Sequence, residues 1–303
     1  MIPFKKISTD QKEWLNEYLH RMDKQCCEYS FVNLYLWGRK RVAEMDGFLL
    51  IQAQFDRKIV YLYPVGEGDI KKVLDAIFHD AAVRGIPCCL AALTEADCRQ
   101  VEQLYPGAFQ IYCDRDSYDY LYAIDDLADL KGRKYQKKRN HANRFRAEHP
   151  NYSVVPLTPC NMPMAQHMIN DWYVSRMRED PDGDYMLENI ALAKACRCYD
   201  ILGLDGILLM DGDQVLAVTM GSRLAEDTFD IHFEKARETV DGAYTVVNQE
   251  FARYLRLKYE GLAYLDREED MGLEGLRKAK LSYNPHHMID KHTAYVAEEI
   301  HDL

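Results

Sequence analysis

The chain has 303 residues, enough for two domains of about 150 residues that each bury a core. Its composition, 48% hydrophobic and 29% charged, excludes a disordered or fibrous protein, and the net charge of −11 argues against general nucleic-acid binding. No apolar stretch approaches the roughly 18 residues of a membrane span, and the first residues lack the apolar centre of a secretory signal, so we expect a cytoplasmic protein.

The first half of the chain predicts antiparallel strands followed by alternating helices and strands. Two apolar, β-branched runs between residues 47 and 65 meet across Asp56-Arg57, which indicates a hairpin. The other elements predicted here are a helix over 69–83 that ends at Gly85, a strand over 86–93, a helix from Thr94 with Asp97 as its capping-box partner, and strands over 109–113 and 118–124.

A basic segment follows, with eight cations and no acid between Lys131 and Ala147. It reads as one helix, which we call the basic helix, from after Gly132 to before Pro150. Like charges stacked at helical spacing repel, so such a helix has either a solvated face or an anionic ligand. We favour the ligand because solvated faces usually alternate the sign of their charges.

The second half repeats the order of the first. It predicts helices over 162–177 and 187–199, a hairpin over 207–220 with Asp211-Gly212 at its turn, a strand over 229–233, a helix over 242–259 and a strand over 262–265. Two copies of one α+β unit explain this order. It is similar to that of the acyltransferase fold called GNAT, so we expect two tandem GNAT-like domains, with mixed sheets flanked by helices, over 1–127 and 150–303, joined by a connecting helix over 128–149.

Two blocks carry a closer resemblance, the basic block 130–145 and the block 264–285 that ends in Ser-Tyr-Asn-Pro. Both resemble signature blocks of the DUF2156 family, which contains the C-terminal, cytosolic domain of phosphatidylglycerol lysyltransferase and is related to Fem-type peptidyltransferases. The resemblance covers nearly the whole chain. It implies a tandem GNAT-like fold and transfer of an aminoacyl group from aminoacyl-tRNA to a lipid or peptidoglycan acceptor.

The candidate catalytic residues lie mainly in the acid block, residues 266–270, which follows a predicted strand. Three of its carboxylates, Asp266, Glu268 and Asp270, repel one another, which raises the pKa of a nearby acid. Glu268 and Asp270 are our candidate bases. Structural salt bridges to neighbouring cations are the alternative. Tyr283 is a candidate proton donor. His232, which we expect on one strand face with Asp230 and Glu234, is a second candidate base. For both residues the alternative is a buried structural role.

The candidate binding residues are cations and polar groups near the two blocks. On the basic helix they are Lys134, Lys138, Arg139, Asn140 and Asn143, and beside the acid block they are Arg267, Arg277, Lys280 and Ser282. The passage that corresponds to the GNAT pyrophosphate loop contains Arg237, Gly242 and Ala243, which lie further apart than in the loop of ordinary acetyltransferases. The free backbone N–H groups at the start of the following helix could bind a phosphate or a carboxylate. The nine cysteines form no Cys-x-x-Cys pair, so we expect reduced thiols and no metal site.

Three functions fit these observations. The first is an acyltransferase that uses aminoacyl-tRNA, with the basic helix on the phosphates of the tRNA acceptor stem and a small molecule, peptide or lipid headgroup as acceptor. The second replaces the donor by acyl-CoA, and the third is a non-catalytic module that binds an anion or a peptide. An activated ester requires no covalent enzyme intermediate, and we expect no tightly bound cofactor.

Overall fold

The computed structural model of the chain describes residues 1–22, 24–55, 58–181, 183 and 185–297. The chain forms two compact units, the first built from residues 1–118 and the segment from 289 onward, the second from residues 119–288. Each contains one seven-stranded sheet. Within the described ranges, every helix is too short or too polar to traverse a lipid bilayer.

The first unit is a mixed sheet with the strand order β1-β2-β3-β4-β5-β14-β6. The labels follow chain order: β1 (Lys5–Lys6), α1 (Lys12–Arg21), α2 (Phe31–Leu36), β2 (Arg39–Met45), β3 (Phe48–Phe55), β4 (Lys58–Gly66), α3 (Ile70–Arg84), β5 (Cys89–Leu93), α4 (Glu95–Leu104), β6 (Phe109–Cys113) and β14 (His292–Val296). Its core includes side chains of β3, β4, β5, β6 and β14 packed with those of α3 and α4.

The local signals in this unit produce the predicted elements. Asp69 accepts a hydrogen bond from the amide of Lys72 at the start of α3, and Gly85 ends that helix with a left-handed φ of 66°. The capping box at the start of α4 is confirmed. Strand β5 begins three residues later than predicted, after Pro87, which has no N–H to donate to a neighbouring strand. Strands β3 and β4 pair as predicted, but the turn residues Asp56-Arg57 lie outside the described residues.

The second unit has the strand order β13-β7-β12-β11-β10-β9-β8. Its elements are β7 (Asp119–Ala123), α5 (Ile124–Asp129), α6 (Gln136–Glu148), β8 (Tyr152–Pro156), α7 (Met162–Glu179), α8 (Met186–Arg197), α9 (Tyr199–Leu202), β9 (Asp205–Asp211), β10 (Gln214–Arg223), β11 (Thr228–Ala236), α10 (Ala243–Lys258), β12 (Tyr264–Asp266), α11 (Glu274–Leu281) and β13 (His287–Ile289). Its core packs α5, α6 and α10 against the sheet.

Two predictions in this unit are confirmed directly. Gly212, with a φ of 55°, lies in the two-residue turn that joins β9 to β10, as the Asp-Gly signal indicates. The basic helix consists of a 3-10 turn over Arg133–Tyr135 followed by α6. Only Tyr135, Ala142 and Phe145 of the helix are buried, which is the thin apolar stripe that its sequence shows.

The sheets divide the chain at positions other than the predicted domain limits. Strand β7 was expected in the first domain, but it pairs with β12 in the sheet of the second unit. The C-terminal strand β14 was not predicted, and it lies between β5 and β6 in the first sheet. The limits 1–127, 128–149 and 150–303 therefore do not coincide with the compact units, because apolar alternation reveals a strand but not its pairing partner.

Candidate functional site

In the second unit, two parallel strands part and leave an opening in the sheet. Strands β11 and β12 pair at only three positions, the last of which joins Asp230 to Asp266. Beyond this point β11 continues to Ala236, whereas the chain after β12 follows β7 through hydrogen bonds to the backbone of Tyr120. Because backbone pairing stops here, side chains of both segments bridge the opening.

Glu268 lies at the centre of this opening and contacts His232. Its Oε1 atom is 3.2 Å from His232 Nδ1, which is also 3.3 Å from Asp230 Oδ2, while His232 Nε2 is 2.8 Å from the hydroxyl of Ser222. Since carboxylates accept hydrogen bonds, Nδ1 carries a proton, and Nε2 shares a hydrogen bond with the Ser222 hydroxyl. The His232 side chain is fully buried and that of Glu268 is 20% exposed, so Glu268 is the member of this group that meets solvent.

The backbone around Glu268 is held by specific contacts. Glu268 has a left-handed φ of 55°, which is uncommon for a residue with a side chain, and its amide donates to Asp266. The ammonium group of Lys280 donates to the carbonyl oxygens of residues 267, 268 and 269, at 2.5, 3.0 and 2.5 Å. Burial lowers the pKa of Lys280. Lys280, predicted to bind phosphate, instead positions the loop that carries Glu268.

Asp270 is surrounded by hydrogen-bond donors. Arg277 donates to both of its carboxylate oxygens, at 2.9 and 2.7 Å, and Tyr120 and the amide of Gly272 also donate to it. The hydrogen bonds from Arg277 hold the pKa of Asp270 well below its ordinary value. This environment disfavours the predicted role of Asp270 as a base, and it engages the guanidinium group of Arg277, which was predicted to bind an anion.

We call Lys138, Arg267 and Tyr283 the cation cluster. Lys138 lies on the basic helix, and Arg267 immediately precedes Glu268 in the chain. The ammonium of Lys138 is 3.6 Å from the centroid of the Tyr283 ring, and the guanidinium of Arg267 is 5.0 Å from it. Arg267 donates to Glu234 at 2.9 Å, but its buried Nη1 atom donates to no group in the described part of the chain. Burial, and then the charge of Arg267, lower the pKa of Lys138 to about 8.

The cation cluster joins the two blocks that the sequence singled out. It holds two cations and contacts one carboxylate, that of Glu234, which also accepts from Asn248. Tyr283 is only 5% exposed, and burial raises the pKa of its phenol, so the phenol keeps its proton. The cation cluster offers positive charge and a hydrogen-bond donor, and its Arg267 immediately precedes the solvent-reaching Glu268 in the chain.

Most other cations of the basic helix have partners within the second unit. Lys134 pairs with Asp126 at 2.9 Å, and Arg139 donates to the backbone carbonyls of Leu130 and Gly132. The helix sequence lacks acids because other elements supply them: Asp241 pairs with Arg144, and Glu250 with Arg146. Lys134 and Arg139, which were predicted to bind phosphate, therefore make structural contacts within the second unit.

Three further predicted binding residues lie apart from the cation cluster. Asn140 is exposed and accepts a hydrogen bond from Gln136, Asn143 is exposed, and the hydroxyl of Ser282 donates to the carbonyl of Ala279. A serine that satisfies a carbonyl at the end of its own helix is typical of a helix terminus. None of these contacts connects the three residues to Glu268.

The predicted donor loop packs against the basic helix. Gly242 has a φ of 80°, and a Cβ atom there would lie 2.6 Å from the carbonyl oxygen of His141. Ala243 is buried, and Arg237 donates to the carbonyl of Val215 and to Asp171, both at 2.9 Å. Asp241 places a carboxylate immediately before α10, where GNAT enzymes are expected to hold a pyrophosphate.

Sequence reasoning missed Ser222 and the separation of Asp230 from Glu234. The strand FDIHFEK alternates, which predicted one face for Asp230, His232 and Glu234. The pairing of β10 with β11 shifts register between Met220 and Ser222, opposite this strand. His232 contacts Asp230, while Glu234 contacts Arg267 and Asn248 instead. A bulge of this kind leaves no mark in the apolar pattern.

A family model described as the C-terminal domain of phosphatidylglycerol lysyltransferase matches residues 19–295. The chain belongs to this family. Membership confirms the resemblance, which the blocks 130–145 and 264–285 carried, and it confirms the predicted enzyme class, acyltransferase.

Similar proteins span most or part of the chain. A conserved protein of unknown function from Bacteroides thetaiotaomicron is 35% identical, with a TM-score of 0.92 over 98% of this chain and 100% of that one. L-PGS from Bacillus licheniformis is 14% identical, with a TM-score of 0.67 over 98% and 94%. An uncharacterized protein of Mycoplasmoides gallisepticum is 26% identical over 184 residues, or 59% of this chain and 56% of that protein, so the match spans about half of that relative.

The predicted fold is confirmed by similarity to a tandem GNAT protein from the clavulanic acid biosynthesis pathway. That protein is 8% identical, with a TM-score of 0.51 over 98% of this chain and 99% of its own. FemX gives a TM-score of 0.58 at 10% identity over 98% of both chains. At such identities the likeness concerns the fold, which is two mixed sheets flanked by helices.

Proposed function

We propose that this protein transfers an aminoacyl group from an aminoacyl-tRNA to an amine or hydroxyl acceptor, with Glu268 as the general base. The observation that supports the proposal most is the position of Glu268. It reaches solvent where β11 and β12 part, it is held by the buried His232, and the preceding residue in the chain, Arg267, belongs to the cation cluster. Acyl transfer requires a base for the acceptor and positive charge to stabilise the oxyanion.

The chemistry follows from these positions. Glu268 takes a proton from the acceptor as its nitrogen or oxygen attacks the carbonyl carbon of the ester. Arg267 and Lys138 stabilise the oxyanion of the tetrahedral intermediate, since both are cations in a partly water-excluded site. Collapse breaks the bond between the carbonyl carbon and the ribose oxygen, which takes the proton from Glu268. Tyr283, whose phenol stays protonated, contributes a neutral hydrogen-bond donor.

The geometry of the opening favours aminoacyl-tRNA over acyl-CoA. The opening is bridged by Arg267 with Glu234 and by His232 with Glu268, so a pantetheine arm lying along β11 would have to break both contacts. We propose a small molecule, peptide or lipid headgroup as acceptor, and the cytoplasm, where charged tRNA is made, as the location.

The test is a transfer assay with tRNA charged with radiolabelled amino acids and an extract of lipids and peptides as acceptors. We expect tRNA-dependent labelling of one acceptor class, and on the order of a 100-fold lower kcat for Glu268→Gln. Glu274→Gln is the matched control, because Glu274 is exposed and pairs only with its helix neighbour Lys278. Transfer that requires acyl-CoA and ignores charged tRNA, or equal activity of both variants, would overturn the proposal.

A further inference from the structure

Three side chains of different chemistry meet in the first unit, away from every residue used above. The sulfur of Cys113, a carboxylate oxygen of Asp290 and a ring nitrogen of His292 all lie within 4.8 Å of one another. Cys113 is the last residue of β6 and His292 the first of β14, and the two are direct partners in the antiparallel pairing. Directly opposed residues project to the same face of a sheet, so the register itself brings thiol and imidazole together.

A further polar group contacts this cluster. The hydroxyl of Tyr118 is 2.8 Å from the Cys113 sulfur. The Asp290 carboxylate adds an anionic oxygen within 4.8 Å of the sulfur and the ring nitrogen. A cation at this place would be attracted by that carboxylate.

His292 has a free ligand atom. Its Nδ1 is buried and makes no hydrogen bond to any group in the described part of the chain. A buried ring nitrogen without a hydrogen-bond partner costs free energy. A metal ion would supply the missing partner, since neutral imidazole is the commonest metal ligand in proteins.

We propose that Cys113, Asp290 and His292 bind one Zn²⁺ ion. Thiolate, imidazole and carboxylate are the three ligand types that zinc takes, at about 2.0–2.3 Å, with water in the fourth position. Binding releases the proton of the Cys113 thiol and replaces its hydrogen bond with Tyr118. The ion would fasten β14 to β6 where the chain leaves the first unit, after Tyr118, and where it returns, at residue 289.

The test is titration of the reduced full-length protein with Co²⁺, a spectroscopic substitute for Zn²⁺, followed by displacement with Zn²⁺. We expect one equivalent to bind with a thiolate-to-cobalt charge-transfer band. Cys113→Ser should lose the band and bind at least tenfold more weakly, while Cys160→Ser, which removes an exposed thiol of the second unit, should change neither. Equal spectra for the two variants, or no band in the wild type, would overturn the proposal.

A second measurement separates a lost ligand from a lost fold. His292→Cys retains a soft ligand and should keep Co²⁺ binding, whereas His292→Ala should lose it, with both checked for native circular dichroism. Loss of binding in both folded variants, or retention in both, would contradict a role for His292 as ligand. The result is independent of the proposed aminoacyl transfer, because Glu268→Gln should bind Co²⁺ like the wild type.

Discussion

Lys138 is the cation of the basic helix whose charge depends most on pH near neutrality. With a pKa of about 8, lowered by burial and by Arg267, it is protonated below that pH and neutral above it. Its contribution to binding an anionic substrate is therefore present at pH 7 and lost as the pH rises through 8. The other cation of the cluster, Arg267, keeps its charge throughout this range.

We expect the KM for charged tRNA to rise between pH 7 and pH 9 in the wild type. Lys138→Arg should keep the KM nearly constant over this range, because a guanidinium group stays protonated. The measurement is KM as a function of pH, with Lys137→Arg as control, since Lys137 is an exposed neighbour on the same helix. Identical profiles for the two variants would show that Lys138 does not contact the donor.

Asp270 contributes to stability through its ionised form. Its pKa is below the ordinary value of 3.8 because Arg277 donates to it, so the stabilisation is fully present above pH 3.8 and is lost as the pH falls through the lower pKa of the folded state. We expect Asp270→Asn to lower the free energy of unfolding at pH 7 by about 2 kcal/mol. Urea unfolding at pH 7 and at pH 3 measures it.

The difference between wild type and Asp270→Asn should shrink at pH 3. Glu274→Gln serves as the control here too, because exposed pairs such as Glu274 with Lys278 contribute little, and it should change stability by less than about 0.5 kcal/mol. A pH-independent loss in Asp270→Asn would point to packing and not to charge.

How far the sequence predicts the site is clear from single residues. Glu268, His232 and Lys138 were singled out by their chemistry, and the structure brings Glu268 to His232 and Lys138 to Arg267 and Tyr283. Their catalytic and binding roles stay predictions. Arg277 and Lys280 were taken as anion ligands because they are cations near an acid block, yet the same chemistry satisfies Asp270 and three carbonyl oxygens. Composition does not reveal which anion a cation reaches.

At the scale of elements, the start of α10 is fixed by its contact with α6. Gly242 adopts a left-handed conformation, and a side chain there would meet the carbonyl oxygen of His141 at 2.6 Å. The close approach explains why a glycine stands at this helix start. It also explains why the predicted donor loop does not have the open form of a pyrophosphate site.

We expect Gly242→Ala to destabilise the protein by about 2–3 kcal/mol, from the strained backbone and the clash with α6 together. Gly212→Ala is the matched control. Gly212 also has a left-handed φ, but no atom lies within 4 Å of the added Cβ, so it should cost only about 1 kcal/mol. Urea unfolding of both variants measures the difference, and equal losses would show that the contact with His141 relaxes at no cost.

The elements were predicted better than their pairings. Helices α3, α4, α6, α7 and α10 and the hairpin of β9 with β10 follow local signals such as caps, an Asp-Gly turn and apolar periodicity. Partners distant in the chain carry no such signal. The group formed by Cys113 and His292 also carries no local signal. Cysteine spacing predicts metal ligands only when they are close in the chain, whereas strand register brings these two residues together.

At the scale of the whole molecule, the first sheet depends on a strand from the C-terminal end of the described chain. Strand β14 pairs with both β5 and β6, and Ala294 is buried in the core of the first unit. Removing it would leave β5 with an unpaired edge and β6 without a strand partner among the described residues.

We expect a chain ending at Met288 to lose the first unit selectively. In hydrogen exchange, the amides of Leu90 in β5 and Ile111 in β6 should lose protection by a factor on the order of 100 or more, while that of Leu208 in β9 keeps it. A chain ending at Ala297 retains β14 and is the control. Undiminished protection of β5 in the shorter chain would mean that the remaining strands close the sheet without β14.

The interleaved order of the two sheets has a consequence for synthesis on the ribosome. Strands β5 and β6 emerge early, but the strand that separates them emerges only after residues 119–288 have been made. The unit encoded later therefore completes its sheet first, the reverse of the usual N-terminal-first order. A nascent chain of this protein keeps strands β5 and β6 unpaired with each other until β14 emerges, and exposed strand edges of this kind favour aggregation.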